Sequence, residues 1–428
     1  MEQMLTKTTF RKYSEYKDSG VDWLGEIPEG WEAIRMKFLF RDVSVKNKPD
    51  EELLSVTQNK GVVPRTWVEN RMVMPSGNLE SFKFIEKGDF AISLRSFEGG
   101  LEYCHHNGII SPAYTVLKKR KDLLEGYYKY LFKSYSFISE IQTSVVGIRE
   151  GKNISYPELS YSLLPIPSSP EQTAIAYFLD EKTTKIDQAI AQKEKMIALL
   201  KERKQIIIQN AVTKGLDPNV KMKDSGVEWI GEIPEHWKIL PGLRFFSENK
   251  RNNKGMKEST VLSLSYGNII IKPKEKLVGL VPESFETYQI VEPGDIIIRC
   301  TDLQNDQVSL RTGLAKDNGI ITSAYLNLKV TGENTSEFLH AFLHFLDTTK
   351  VLYKFGSGLR QNLSFVDFKR MDIPKVPLEE QEEILEYIEI QSIKIENSIN
   401  QFQTQIKKLK EYKATLIDSA VTGKIKVC

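Results

Sequence analysis

The sequence is poor in the residues most catalytic and metal centres use. Three cysteines occur in 428 residues. Cys104, Cys300 and Cys428 are far apart and show no Cys-x-x-Cys spacing, which excludes a zinc ribbon and a disulfide framework and fits a reducing, cytoplasmic setting. Of five histidines, His340 and His344 have the spacing of a zinc pair, but Ala341, Phe342 and Leu343 between them supply no catalytic glutamate, so they read as a structural or surface pair. His105 and His106 are adjacent and would point to opposite faces of an extended chain. No run of eighteen apolar residues is present, and the opening MEQMLTKTTFRKYSEYK has no apolar core, so neither secretion nor membrane spanning is expected. A GxxxxGK[ST] phosphate loop is missing; GSGLRQ at 356–361 starts like a dinucleotide loop but has Gln361 where the third glycine belongs. No nucleophile elbow and no Asn-Pro-Pro-aromatic methyltransferase loop appears. The net charge of +2 neither argues for nor excludes a nucleic-acid partner.

What is present is a long helix, written twice. Across 171–213, Ile186, Ile190, Ile197, Leu200, Ile207 and Ala211 follow a heptad seam, with Lys193 and Lys204 filling the missing steps. Near the C-terminus Ile395, Ile399, Phe402, Ile406, Leu409, Leu416 and Ala420 keep the same phase, and Lys413 stands where Lys204 stood. A helix of this length is a rod of roughly 65 Å, comparable with about two turns of B-DNA at ~34 Å each. The lysines either fix register or face a partner.

The rest of the chain is duplicated too. KDSGVDWLGEIPEGW at 17–31 returns as KDSGVEWIGEIPEHW at 223–237, differing only at Asp22/Glu228, Leu24/Ile230 and Gly30/His236. Glycine and proline make this a turn-rich element, and Trp23, Trp31, Trp229 and Trp237 read as apolar anchors. Each copy is followed by a stretch rich in β-branched residues and turns, with LLSVT (53–57) against VLSLS (261–265), EKGDFAISLR (86–95) against EPGDIIIRC (292–300), and NGIISPAY (107–114) against NGIITSAY (318–325). Helical patches are expected around 123–136 and 336–349. The loops diverge far more than this framework, as expected if each copy recognises something different. Each stretch leaves through prolines, LLPIPSSPEQ (163–172) and MDIPKVPLEEQ (371–381), a good start for a helix. The second has one more residue between its prolines. Glycine ends both helices in AVTKGL and AVTGKI. No third turn-rich element follows the second helix, so the N-terminal copy is expected to close against it, giving two equivalent units with antiparallel helices.

Residues suited to nucleic acid stand in the divergent loops. Arg95 and Arg299 share the sequence parity of Asp89 and Asp295, which places them on the outer face of a strand, either to read guanine or to solvate the sheet. GIREGKNIS (147–155) and GSGLRQNLS (356–364) match around Arg149, Lys152 and Asn153 and around Arg360, Gln361 and Asn362. They read either as phosphate and base-edge contacts or as turns capping the next strand. Gln58, Lys60 and Arg65, with Tyr266 and Asn268, are weaker candidates of the same kind.

The paired DSGVxWxGEIPExW elements, the PxPxxEQ-type helix starts, the closing AVTxG and the two variable stretches resemble the specificity subunit of type I restriction-modification systems, the HsdS family. The likeness covers nearly the whole chain. It implies an α+β architecture with a pseudo-two-fold internal repeat: a turn-rich element (1–32), a first target recognition domain (33–167), a central spacer helix (168–216), a second turn-rich element (217–238), a second recognition domain (239–377) and a C-terminal spacer helix (378–428). The resemblance further implies a non-catalytic subunit in which each domain reads half of a bipartite double-stranded DNA target. Two methyltransferase subunits would bring S-adenosylmethionine, and restriction/motor subunits would bring ATP and Mg2+, with no cofactor in this chain. The rival reading is a coiled-coil adaptor with two protein-binding heads.

Overall fold

A computed structural model describes residues 10–68, 79–146, 153–273, 284–301, 303, 309–355 and 362–427. The chain divides into two compact units, one formed by 1–193 with 403–428 and the other by 194–402. Each is β-rich and includes part of both long helices, Ser169–Lys214 and Leu378–Val421.

The two units have the same order of strands in their main sheets. In the first, a four-stranded antiparallel sheet runs Phe40–Val43, Thr115–Lys119, Phe90–Ile92, Glu102–Tyr103. In the second, Phe246–Glu248, Leu326–Val330, Ile296–Ile298 and Thr312–Leu314 occupy the same places. A hairpin stands beside each sheet, Leu54–Thr57 with Gly61–Pro64 and Leu262–Ser265 with Asn268–Ile271. The central strands are buried on both faces, because Ala91 and Ile297 pack into small cores under the hairpins, with Leu54, Val62 and Ile85 in one unit and Leu262, Ile269 and Val291 in the other.

The helical patch expected around 123–136 is two helices, Glu125–Leu131 and Tyr135–Thr143, broken where Ser134 caps the second by accepting from Phe137 N at 3.3 Å. The patch in the second unit is one helix, Ser336–Thr348, capped by Thr335.

Each turn-rich element is a hairpin, Tyr16–Asp18 with Glu26–Pro28 and Met222–Asp224 with Glu232–Pro234. In both loops an aspartate, Asp18 or Asp224, accepts from the amide of Gly20 or Gly226 at 2.9 Å, an Asx turn. The tryptophans are anchors, as expected: Trp31 and Trp237 are buried, and Trp23 packs on Phe137 at 5.7 Å.

The Glu-Gln pair opening each long helix grips two separate pieces of its unit. Trp31 Nε1 donates to Glu171 Oε1 at 3.3 Å, and Trp237 Nε1 to Glu380 Oε2 at 2.9 Å. Gln172 Nε2 donates to Pro167 O at 2.9 Å and Gln381 Nε2 to Val376 O at 2.9 Å, while their Oε1 atoms accept from Leu124 N and Thr335 N. The glutamines therefore start both helices identically, and the different proline spacing leaves the docking of the second unchanged. At the far ends Gly215 and Gly423 take φ of 71° and 74°.

In the first unit the expected closure is present. Arg11 bridges to Lys426, Lys424 Nζ donates to Leu24 O at 3.2 Å, and Tyr127 Oη donates to Val421 O at 2.7 Å, occupying a carbonyl that the helix end leaves free.

The two long helices pack antiparallel within each unit. Lys193 Nζ donates to Gln405 Oε1 at 2.6 Å and Lys413 Nζ to Asp187 at 2.7 Å in the first; Lys204 Nζ meets Glu396 Oε1 at 2.6 Å in the second. The lysines interrupting the seam thus reach across it, which is the register-fixing arrangement. Ile186, Ile190, Ile395, Ile406 and Leu416 are buried, and Ile197, Leu200, Ile207, Ile399, Phe402 and Leu409 half-buried. No described helix is long and apolar enough to cross a membrane.

Candidate nucleic-acid interface

In the first unit the hairpin turn leaves Gln58 and Lys60 exposed, because Thr57 Oγ1 closes it by accepting from Lys60 N at 3.1 Å and donating to Gly61 O at 2.9 Å. Gly61 is required there: its φ is 72°, and a Cβ would stand 2.5 Å from Tyr103 O. Arg65, half-buried, opens the 3-10 turn Arg65–Trp67 after the hairpin.

Arg95 does not lie on a strand face. The strand ends at Ile92, all of Phe90, Ala91 and Ile92 are buried, and Arg95 is exposed in the turn before the short helix Ser96–Gly99. Arg299 likewise follows the end of Ile296–Ile298, half-buried, with its amide donating to Arg311 O at 2.8 Å. The alternation expected from parity fails because these central strands have no solvent face. Asp89 and Asp295 are structural and buried. Asp89 accepts from Glu86 N at 2.9 Å and pairs with Lys118 at 3.3 Å; Asp295 accepts from Asn249 at 3.1 Å, Asn327 at 3.3 Å and Arg251. Burial pushes both carboxyls up, against the pull of those partners.

The fold brings the candidates of the first unit together. Gln58 Nε2 donates to Arg95 O at 3.4 Å, and Ser96–Gly99 lies against the strand Asn153–Ile154, which pairs with Val145–Val146. Arg149 and Lys152 lie outside the described residues, and of Asn153 only the backbone is described. Beneath this surface Lys133 Nζ donates to Gln58 O at 3.1 Å, Gly99 O at 2.8 Å and Glu102 Oε1 at 2.6 Å. Glu102 is fully buried; desolvation raises its carboxyl and lowers the Lys133 ammonium, and each opposes the shift of the other.

In the second unit Tyr266 and Gly267, with φ of 47° and 79°, make the two-residue turn between Ser265 and Asn268. Tyr266 is a non-glycine residue in the left-handed region and is 91% exposed. Asn268 Nδ2 donates to Tyr266 O at 3.2 Å. The hairpin lies on Thr312–Leu314, and Leu363 N donates to Cys300 O at 2.9 Å, which places exposed Asn362 beside the Arg299 segment. Arg360 and Gln361 lie outside the described residues.

Two features escaped the sequence reading. Trp67, 58% exposed and edge-on to His106 at 5.1 Å, adjoins Arg65 in the run PRTW, a basic-aromatic signal that was there to be read. Arg311 is fully buried, and nothing in its sequence neighbourhood distinguishes it from a surface arginine. Among the described residues no group of three or more His, Cys, Asp or Glu could hold a metal ion. His340 and His344 lie with ring centroids 6.1 Å apart, tilted by 36°; burial is the main cause lowering both, His340 to about 4.

No family profile matches the chain. It is 23% identical over 433 residues, 94% of each chain, to the type I restriction enzyme MjaVIII specificity subunit of Methanocaldococcus jannaschii. Its fold matches the HsdS subunit of Thermoanaerobacter tengcongensis with a TM-score of 0.50 at 14% identity, over 93% of this chain and 98% of that one. A chain solved in work on the assembly and conformational transition of the type I R-M system matches with a TM-score of 0.59 at 14% identity, over 92% and 98%. The chain is similar to HsdS-type specificity subunits along nearly its whole length. Two β-rich units and two long helices in contact are the architecture it shares with HsdS.

Proposed function

We propose that each unit reads one half of a bipartite double-stranded DNA target through its exposed turns, with the paired helices setting the spacing. The observation carrying this reading is a contrast within each unit. The turn-rich element, the Glu-Gln helix start and the sheet order recur, whereas the exposed hairpin turns do not: Gln58, Asn59 and Lys60 stand in one, Tyr266 and Gly267 in the other. Framework identity with divergent polar tips is what two different half-sites require. In the first unit Gln58, Lys60, Arg95 and the loop with Arg149, Lys152 and Asn153 carry the contacts, with Arg65 at their margin; in the second, Tyr266, Asn268, Arg299 and the loop with Arg360, Gln361 and Asn362.

Two methyltransferase subunits dock on the long helices, which expose Met196, Leu199, Ile206, Ile390 and Ile393 away from the seam. Restriction/motor subunits complete the assembly. S-adenosylmethionine, ATP and Mg2+ belong to those partners, and the complex works on DNA in the cytoplasm.

The test is competition binding by the subunit assembled with its methyltransferase partners, using the target defined by mapping methylated bases with and without this gene. Binding should be specific and fall steeply with salt. Arg95→Ala and Arg149→Ala should each weaken recognition of one half-site by about tenfold, and Arg299→Ala and Arg360→Ala the other. Equal binding of all duplexes by the assembled complex would refute the reading, and an adaptor would show no DNA phenotype in any of the four variants.

A further inference from the structure

In each unit one cation donates to two backbone carbonyls of segments bearing the proposed readers. In the first, Lys133 ties the carbonyl of Gln58, at the hairpin tip, to that of Gly99, four residues past Arg95, and its third hydrogen goes to buried Glu102. An ammonium has three hydrogens, and this one spends all three inside the protein. The hairpin tip and the Arg95 turn are otherwise joined by Gln58 Nε2 to Arg95 O, at a long 3.4 Å.

In the second unit the cation is Arg311, which comes from just before a strand and not from a helix end. Its Nη1 donates to Arg299 O at 3.3 Å and Thr301 O at 2.8 Å, and its Nε to Tyr353 Oη at 3.0 Å, with the guanidinium over that ring at 5.2 Å. The carbonyls it holds flank Cys300, whose own carbonyl accepts from Leu363, next to Asn362. One fixed fork therefore sets both the Arg299 backbone and the segment that Asn362 follows. Asp347 lies alongside and accepts from Arg311 N at 2.5 Å and Thr312 N at 3.2 Å.

Taking a cation out of water is costly unless its partners are in place; Arg311 is fully buried and Lys133 half-buried with its ammonium on three acceptors. Two units that otherwise share a framework place such a cation at non-equivalent positions, and both cations converge on the segments of the proposed readers. We propose that Lys133 and Arg311 are positioning residues for DNA recognition, each holding the reading turns of its own unit in the geometry that discriminates bases, and each acting on one half-site only. The proposal rests on the half-site reading above. Discrimination depends on this because a bidentate base contact tolerates little displacement, whereas phosphate contacts by exposed lysines and arginines survive it.

The experiment uses the subunit assembled with its methyltransferase partners, competed with the methylation-defined target and with duplexes in which one half-site or the other is scrambled. Wild-type specificity tests the half-site reading; only the variants test the clamps. Lys133→Met, made together with Glu102→Gln so that no unpaired charge is left buried, should lower discrimination at one half-site about tenfold and leave the other half-site and the affinity for scrambled DNA unchanged. Arg311→Met should show the same pattern at the opposite half-site. Lys133→Arg, which keeps the charge and several donors, should retain discrimination. If Arg311→Met does not fold, Arg311→Lys replaces it, since an ammonium cannot span both carbonyls and Tyr353 in the planar fork, and the same one-sided loss is required. Folded variants that keep full discrimination, or that lose both half-sites together, overturn the proposal.

Discussion

Gly423, just past the end of the second long helix, lies so close to Trp31 and Pro28 that a Cβ would stand 3.2 Å from the indole Cζ3 and 2.4 Å from Pro28 Cδ. Its φ of 74° adds a second reason for glycine. Gly423→Ala should therefore destabilise the protein by more than about 1 kcal/mol. Gly226→Ala, at φ 73° with nothing within 4 Å of a Cβ, suffers the backbone penalty alone and should cost less. Urea unfolding of the two variants checks the order.

The lysines in the helix seam invite a charge swap. Lys413 and Asp187 are partly exposed, so the pair is worth about 0.2–1 kcal/mol and is weakened by salt. Lys413→Glu should lower the thermal midpoint, and adding Asp187→Lys should restore most of the loss. Lys204→Leu should raise the midpoint slightly, because it extends an apolar seam. A double-mutant cycle at low and high salt measures the coupling, and no coupling at low salt would remove the register role of this pair.

Acid should destabilise the second unit through His340. Its folded pKa of about 4 lies below the ordinary 6.5, mainly because burial disfavours the imidazolium, with His344 and Lys316 adding to the effect. Between those values the unfolded chain binds a proton that the native protein does not, so stability falls as pH is lowered from 6.5 towards 4. Asp347, raised by burial, works in the opposite sense near the bottom of that window. His340→Leu should flatten the dependence between about pH 5 and 6.5, as read from urea midpoints across that range.

The thiols of Cys104 and Cys300 are both buried and pushed up to about 12 by that burial. Thiolates are the reacting form, so both should resist alkylation in the folded protein and react once it is unfolded. Mass spectrometry of iodoacetamide-treated peptides reads the outcome at each position.

The sequence exposed whatever repeats. The heptad phase marked Ile186 to Ala211 and its twin because a helix seam depends only on spacing, and the turn-rich element announced itself through its glycines and tryptophans. Strand faces were harder. Parity placed Arg95 and Arg299 outward, but Ala91 and Ile297 are buried, and a strand covered on both sides has no outward face for parity to find. Of the site, the sequence exposed the polar turns but not what holds them. Lys133 and Arg311 look like surface residues in sequence, since the half-burial of one and the full burial of the other depend on partners such as Glu102 and Tyr353 that only the tertiary fold brings near.

The Glu-Gln pair at each helix start has a consequence for how such a chain can change. Glu171 holds an indole and Gln172 the start of a helix in the β-rich part of its unit; Glu380 and Gln381 do the same in the second unit. The joint is a two-residue plug with a fixed pin arrangement. In the first unit a replacement for the β-rich part would also have to keep Tyr127 on Val421 O, Tyr130 on Asp180 and Ser136 N on Asp418, so the exchangeable surface is the part that faces away from the two helices.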